Sequence, residues 1–195
     1  RLLDIGCGTG YFAGLMQRAG WTVEGVEANH GARQLAIERY GLKVYTPDDF
    51  SDLADEKYDV ITLWHVLEHV HDLDGYLLKI RSLLDNNSKL ILALPNYTSY
   101  DARAYGALWA AYDAPRHLYN FTPGAVDKLV RRHNFSISSM APMPLDAYYV
   151  SLESEKHRDN GGSLVRGAVL GFRSNLAAAG KPEKSSSVIY VCEPF

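Results

Sequence analysis

The chain has 195 residues, 47% hydrophobic and 22% charged, with a formal net charge of -3. That length suits one domain over residues 1–195 that buries roughly 70% of its unfolded surface. The acidic balance argues against nucleic acid as a partner, because polyanion binding relies on a basic face, and no stretch reaches the ~18 uncharged apolar residues of a bilayer span. Cys7 and Cys192 lie at opposite ends of the sequence, in what read as core strands. Both are expected to be buried free thiols in a reducing compartment, the cytoplasm. Because the chain starts inside an apolar segment without Met, residues upstream of Arg1 are expected to be missing from this sequence.

Residues 1–5 read as a short strand, followed by a glycine loop and a helix over 11–19 that Gly20 breaks. TVEGV (22–26) is the second strand. Asn29 caps a second helix, HGARQLAIERY, and Gly41 ends it. LKVY is the third strand and YDVITLW (58–64) a stronger fourth. The clearest helix is DLDGYLLKIRSLL, with Leu73, Leu77, Ile80 and Leu84 on one stripe. Asn86-Asn87 supplies a turn before KLILALP, the fifth strand. Thr122-Pro123 gives an N-cap and a first-turn proline to a helix whose Val126, Leu129 and Val130 face inward and whose last turn carries Arg131, Arg132 and His133. FSISSM and SVIYVC are late strands. Between them, 154–163 reads as a polar mobile loop and 164–179 as a helix. Strands alternating with helices predict an α/β fold with a parallel sheet covered on both faces.

Gly6, Gly8 and Gly10 follow the first strand, where a glycine loop brings backbone N–H groups and a helix N-terminus close to a ligand. Glu27, at the end of the second strand, is placed to accept hydrogen bonds from a ribose. A dinucleotide fingerprint needs a glycine at position 11, which is Tyr11 here, and Asp4 would repel a pyrophosphate. A nicotinamide-dependent oxidoreductase is therefore disfavoured. S-adenosylmethionine has no phosphate and carries a sulfonium and an ammonium group, which suit Asp4.

Through LLDIGCGTG, VEGVEAN and YDVITLWHVLEHV, in this order and spacing, the chain resembles the class I S-adenosylmethionine-dependent methyltransferases. The resemblance implies a Rossmann-like, doubly wound, seven-stranded sheet, mostly parallel, with the last strand, near Val188–Cys192, antiparallel. It also implies that Asp4, Gly6, Cys7, Gly8 and Gly10 cradle the methionine end, that Glu27 binds the ribose and that Ala28 lies beside the adenine. Asp48, Asp49 and Phe50 would flank the adenine edge, and Trp64 would lie under the methionyl group. For Asp48 and Asp49 the alternative is a solvated turn after Pro47.

Methyl transfer is an in-line displacement to which positioning alone contributes roughly 7–11 kcal/mol, so the acceptor loop is where specificity is sought. Residues 96–121 form the candidate substrate lid: they carry Tyr97, Tyr100, Tyr105, Trp109, Tyr112, Tyr119 and Phe121, which favour a planar or apolar acceptor. Within it, DAPRHLYNFTP resembles a bacterial group related to the ubiquinone-biosynthesis O-methyltransferases. His117 is the candidate general base, and Arg116 is a candidate clamp for an anionic group unless it simply pairs with Asp113. His65, Glu68 and His69 fall on one face of a turn. Related enzymes carry E-x-x-E-H there and can use a divalent metal, with a later histidine such as His117 as a further ligand. His65 replaces their first glutamate, many relatives with V-L-E-H-V use no metal, and no metal ligand is assigned. The sequence thus reads as a methyltransferase for a small-molecule acceptor, with oxygen as the methylated atom. The alternatives are an RNA-modifying methyltransferase and a non-enzymatic S-adenosylmethionine-binding module.

Overall fold

The computed structural model describes residues 1–53, 57–158 and 161–195. Seven strands, β1 (Leu2–Ile5), β2 (Val23–Val26), β3 (Lys43–Tyr45), β4 (Tyr58–Trp64), β5 (Leu84–Pro95), β6 (Phe135–Pro142) and β7 (Ser187–Pro194), form one sheet in the order β3-β2-β1-β4-β5-β7-β6. The pairs β1–β2, β1–β4, β2–β3 and β4–β5 are parallel, and β7 runs antiparallel to both β5 and β6. The sheet expected from the motifs, with its antiparallel last strand, is the sheet observed.

The helices are α1 (Tyr11–Arg18), α2 (His30–Tyr40), α3 (Pro47–Asp52), α4 (Leu73–Ser82), α5 (Tyr100–Tyr105), α6 (Pro123–Arg132), α7 (Pro144–Lys156) and α8 (Leu164–Ala177). Local chemistry sets their ends. Asn29 and Thr122 accept from the backbone N–H groups of Ala32 and Ala125, and Gly41 closes α2 in the left-handed conformation. Leu77 and Ile80 of α4, and Val126 and Val130 of α6, are fully buried against β4, β5 and β7 in the main core. Cys7 and Cys192 are buried free thiols. No helix among the described residues is long and apolar enough to cross a membrane.

Three expectations need correction. α4 ends at Ser82, and Leu84 opens β5 instead of completing the helical stripe. The Asn86-Asn87 pair stands inside β5, where the register with β4 slips between Tyr58 and Val60. A bulge absorbs the polar residues there, held by the Ser88 hydroxyl donating to the Tyr58 carbonyl at 2.7 Å. The polar loop expected over 154–163 is helical through Lys156, because Ser154 and Glu155 are buried and bonded: Ser154 accepts from Ala110 N, and Glu155 from the Tyr105 hydroxyl and Ser163 N. Asp159 and Asn160, in that same stretch, lie outside the described residues. α7 itself was not anticipated. It packs on α8 at Gly171, where a Cβ would stand 2.8 Å from the Tyr148 Cα, so only glycine admits the close approach.

The stretch from 96 to 121 is built from α5 and two 3-10 turns, Gly106–Leu108 and Ala110–Tyr112. Its buried centre is Asp101, which accepts from Trp109 Nε1 (2.8 Å), Ser174 Oγ (2.6 Å) and Ser186 Oγ (2.7 Å). Trp109 and Tyr105 join Val150 and Leu170 in a separate core cluster, while Phe121 belongs to the main core and stacks with Tyr119.

Candidate active site

The carboxyl ends of β1, β2 and β4 meet at a cleft of about 290 Å³ bordered by Gly6, Glu27, Ala28, Trp64, His65 and Tyr76, among others. Gly6 has φ +74°, and a Cβ there would lie 2.3 Å from Val66 Cγ2, so the loop after β1 cannot take its course with a side chain. Glu27 spans the loop: its Oε2 accepts from Gly8 N at 2.8 Å and its Oε1 from Asn29 N at 2.7 Å. Gly10 is the left-handed N-cap of α1.

Asp4 is buried, and it accepts from the Thr62 hydroxyl at 2.7 Å. Burial pushes its carboxyl up to about 7; the Thr62 bond opposes this and the neighbouring Glu27 adds to it. A carboxylate in that condition gains from any cationic group brought beside it. Cys7 is turned from the cleft, its Sγ filling the space where a Gly25 Cβ would stand at 2.6 Å. Trp64 meets Phe12 edge-on at 5.2 Å, and its indole N–H is buried with no partner among the described residues. Of the residues expected at the adenine edge, Asp48 is exposed in the first turn of α3 and Asp49 closes a capping box with Thr46. Phe50 is in the core, 5.1 Å from the Tyr76 ring. None of the three borders the cleft; Pro47 and Tyr76 do.

A second cleft, about 270 Å³, lies between the 110–117 segment and α7, and His65 borders both clefts. His65 follows β4 with φ +54°, a conformation rare for a side-chain-bearing residue. Its Nδ1 stands 3.4 Å from Glu68 Oε1 and its Nε2 3.3 Å from Asp146 Oδ2. Burial works against the imidazolium, yet these two carboxylates outweigh it and push the ring up to about 9, so His65 is a cation at neutral pH. Asp146 is correspondingly held below the usual carboxylate range: burial opposes this, and the pairing with His65 prevails.

His117 presents Nδ1 to the Ala111 carbonyl at 2.8 Å. A carbonyl only accepts, so Nδ1 carries a hydrogen and Nε2 holds the lone pair when the ring is neutral. That Nε2 lies 3.8 Å from Asp113 Oδ2 and 4.0 Å from Glu68 Oε1. Arg116 is committed to Asp113, with Nε at 3.0 Å and Nη2 at 2.7 Å from the same oxygen. Glu68 is completely buried, and among the described residues neither side-chain oxygen has a hydrogen-bond partner. His69 is fixed in the same way as His117, with Nδ1 3.0 Å from the Arg116 carbonyl. Donor atoms of Glu68, His69 and His117 lie within 4.8 Å of one another. Two imidazoles locked by backbone carbonyls and one orphaned carboxylate fit a divalent ion, although bonds near 2.1 Å would draw the donors closer.

Gly6, Glu27, Ala28 and Trp64, far apart in the sequence, border one cleft, and His117 and Arg116 border the other; Asp4 lies buried on Thr62 and borders neither. Asp146 and Tyr149 were missed, because α7 follows no helical stripe that the sequence advertises. Tyr76 was missed because it sits on α4 beside the core residues.

A family model described as a methyltransferase domain matches residues 1–139. The chain belongs to this family of methyltransferase domains. The chain is 33% identical over 144 residues to the ubiquinone biosynthesis O-methyltransferase of Cereibacter sphaeroides, covering 68% of this chain and 58% of that protein. It is 28% identical to the protein of the same name from Azorhizobium caulinodans, over 75% of this chain and 62% of that one. The chain thus spans less than two thirds of these relatives. Among solved structures, a SAM-dependent methyltransferase from Archaeoglobus fulgidus superposes with a TM-score of 0.66 at 19% identity, covering 99% of this chain and 85% of that one. The magnesium protoporphyrin IX methyltransferase of Synechocystis superposes at 0.64 with 16% identity, covering 100% and 74%.

Proposed function

We propose that the protein methylates a hydroxyl oxygen of a small molecule seated between the 110–117 segment and α7, in the cytoplasm. One observation carries this reading: His65 borders both clefts, so a donor in the first can face an acceptor in the second. S-adenosylmethionine supplies an electrophilic methyl group. Glu27 and the backbone of Gly6 and Gly8 hold its ribose and amino-acid parts, and Asp4 accepts its positive end. Trp64 closes the cleft floor against Phe12.

A hydroxyl acceptor must lose its proton as it reacts, and Nε2 of His117 takes it, with the Asp113 and Glu68 carboxylates beside the resulting cation. Arg116 holds Asp113 in place and touches no reacting atom in this reading. A divalent ion held by Glu68, His69 and His117 would occupy Nε2 of His117 and would supply Lewis-acid polarisation of the hydroxyl in place of that proton transfer. The two buried thiols agree with a reducing compartment, and the formal charge of -3 agrees with a small molecule over a nucleic acid.

The test is His117→Ala, assayed by acceptor-dependent release of S-adenosylhomocysteine and, separately, by calorimetric titration with S-adenosylhomocysteine. Loss of a general base costs roughly 10²–10⁴-fold in kcat with cofactor affinity retained. Turnover equal to that of the parent protein would remove His117 from the chemistry.

A further inference from the structure

The acceptor cleft has a wall chemistry that its sequence did not suggest. Of the seven aromatic residues between 96 and 121, none borders it: Tyr105, Trp109 and Phe121 are buried in the two cores, and Tyr119 stacks on Phe121. Among the described wall residues the one phenol or indole ring is Tyr149 of α7, 64% exposed, and the apolar remainder consists of short side chains such as Pro95, Ala110 and Ala111. A flat aromatic acceptor thus finds no second apolar ring to complete a slot.

The polar part of the wall is dense and already internally paired. Asp113 is paired with Arg116 at 2.7 Å and Glu153 with Lys156 at 2.5 Å, and Asp146 lies 3.3 Å from His65 Nε2. Among the described residues each wall carboxylate thus has a nitrogen partner, and the cleft is not built around a single charged anchor for an ammonium or a phosphate. It offers carboxylate oxygens that accept hydrogen bonds, and His65 and Arg116 N–H groups that donate them. Neutral hydroxyls, which donate and accept at once, suit this alternation, and the exposed Tyr149 ring offers an apolar face to aliphatic C–H bonds.

From this geometry we infer that the acceptor is a neutral, non-aromatic polyhydroxylated ring, a sugar or a cyclic polyol, held by Asp113, Asp146 and Glu153 with Tyr149 against its C–H face. This rests on the methyl-transfer reading above and narrows it. One ring hydroxyl reacts: the methyl carbon's bond to sulfur breaks with its electron pair left on sulfur, the new bond forms to the hydroxyl oxygen, and the hydroxyl proton goes to Nε2 of His117. The products are a methyl ether, S-adenosylhomocysteine and a protonated histidine that releases its proton to solvent.

The test uses the purified chain with S-adenosylhomocysteine bound and saturation-transfer NMR on three probes: a set of methyl hexopyranosides, 3,4-dihydroxybenzoate and ethanolamine. Calorimetry with S-adenosylhomocysteine on the same sample reports the donor site independently. The expected result is saturation transfer to hexopyranoside ring protons, weakened at least tenfold in Kd by Tyr149→Ala and by Glu153→Gln, with unchanged S-adenosylhomocysteine affinity in both variants. Cofactor binding accompanied by signals from the catechol or the amine alone, or from none of the probes, overturns the acceptor class and leaves methyl transfer standing. Absence of cofactor binding by the folded chain overturns both.

Discussion

Asp4→Asn separates what the donor site costs the fold from what it gives the cofactor. The Asp4 carboxyl is buried and sits at about 7 against an ordinary 3.8, chiefly through desolvation. A carboxyl raised by folding is favoured in its protonated form, so its contribution is intact below the unfolded value and is lost as pH climbs through the folded one. The loss therefore builds from about pH 4 and is complete just above pH 7. At roughly 1.4 kcal/mol per unit, three units set a ceiling of about 4 kcal/mol. Asn cannot ionise, and its amide oxygen can still accept from Thr62. Urea unfolding of both proteins without cofactor, at pH 4.5 and pH 8, reads the difference directly. Asn should gain on the order of 2–4 kcal/mol relative to Asp between the two pH values, while binding S-adenosylhomocysteine more weakly at pH 8. A stability difference that does not change with pH would show that Asp4 is not held protonated by burial, and the argument for a cation-seeking carboxylate would fail.

Two further outcomes follow from the same geometry. Glu27→Ala removes the acceptors of the Gly8 and Asn29 N–H groups. Bonds of that charged kind contribute about 1.5–3 kcal/mol each, so the Kd for S-adenosylhomocysteine should rise by roughly 10–100-fold in calorimetry, and an unchanged Kd would contradict the assignment. For the Glu68, His69 and His117 cluster, titration with Co²⁺ should reach one equivalent with visible d–d absorption, absent in His69→Ala; a featureless titration would show that the cluster holds no divalent ion.

The legible part of the molecule is the part whose chemistry is local. Asn29, Gly41 and Thr122 mark helix ends through bonds made within three or four residues, and the alternation of apolar strands with striped helices dictates the parallel sheet. Gly6 and Glu27 come together because β1 and β2 are neighbours, which brings their carboxyl ends to one cleft. Phe50 shows where motif transfer stops: an aromatic residue at the right position went to the core, because α3 turns its ring toward Tyr76 and not toward the cleft. α7 was illegible for a related reason. Its buried face is Ala147, Val150, Ser151, Ser154 and Glu155, and two of its polar members, Ser154 and Glu155, accept from residues far away in sequence, Ala110 and Tyr105.

The same contrast bears on where specificity resides. The donor cleft draws mainly on the first 76 residues, whereas the acceptor cleft gathers residues from 65 to 187 and holds two of the three side-chain-bearing residues with positive φ, His65 and Asp113. Strain of this kind persists only where surrounding contacts over-determine it. Here the contacts are visible: Asp101 ties the 96–121 stretch to α8 and to Ser186 just ahead of β7, and Asp146 ties α7 to His65. Because Tyr105, Trp109 and Phe121 of that stretch are buried in the two cores, the wall they support is free to be polar. An acceptor is thus selected by hydrogen-bonding groups on a stiffly braced surface, and those three aromatic residues report the bracing rather than the substrate.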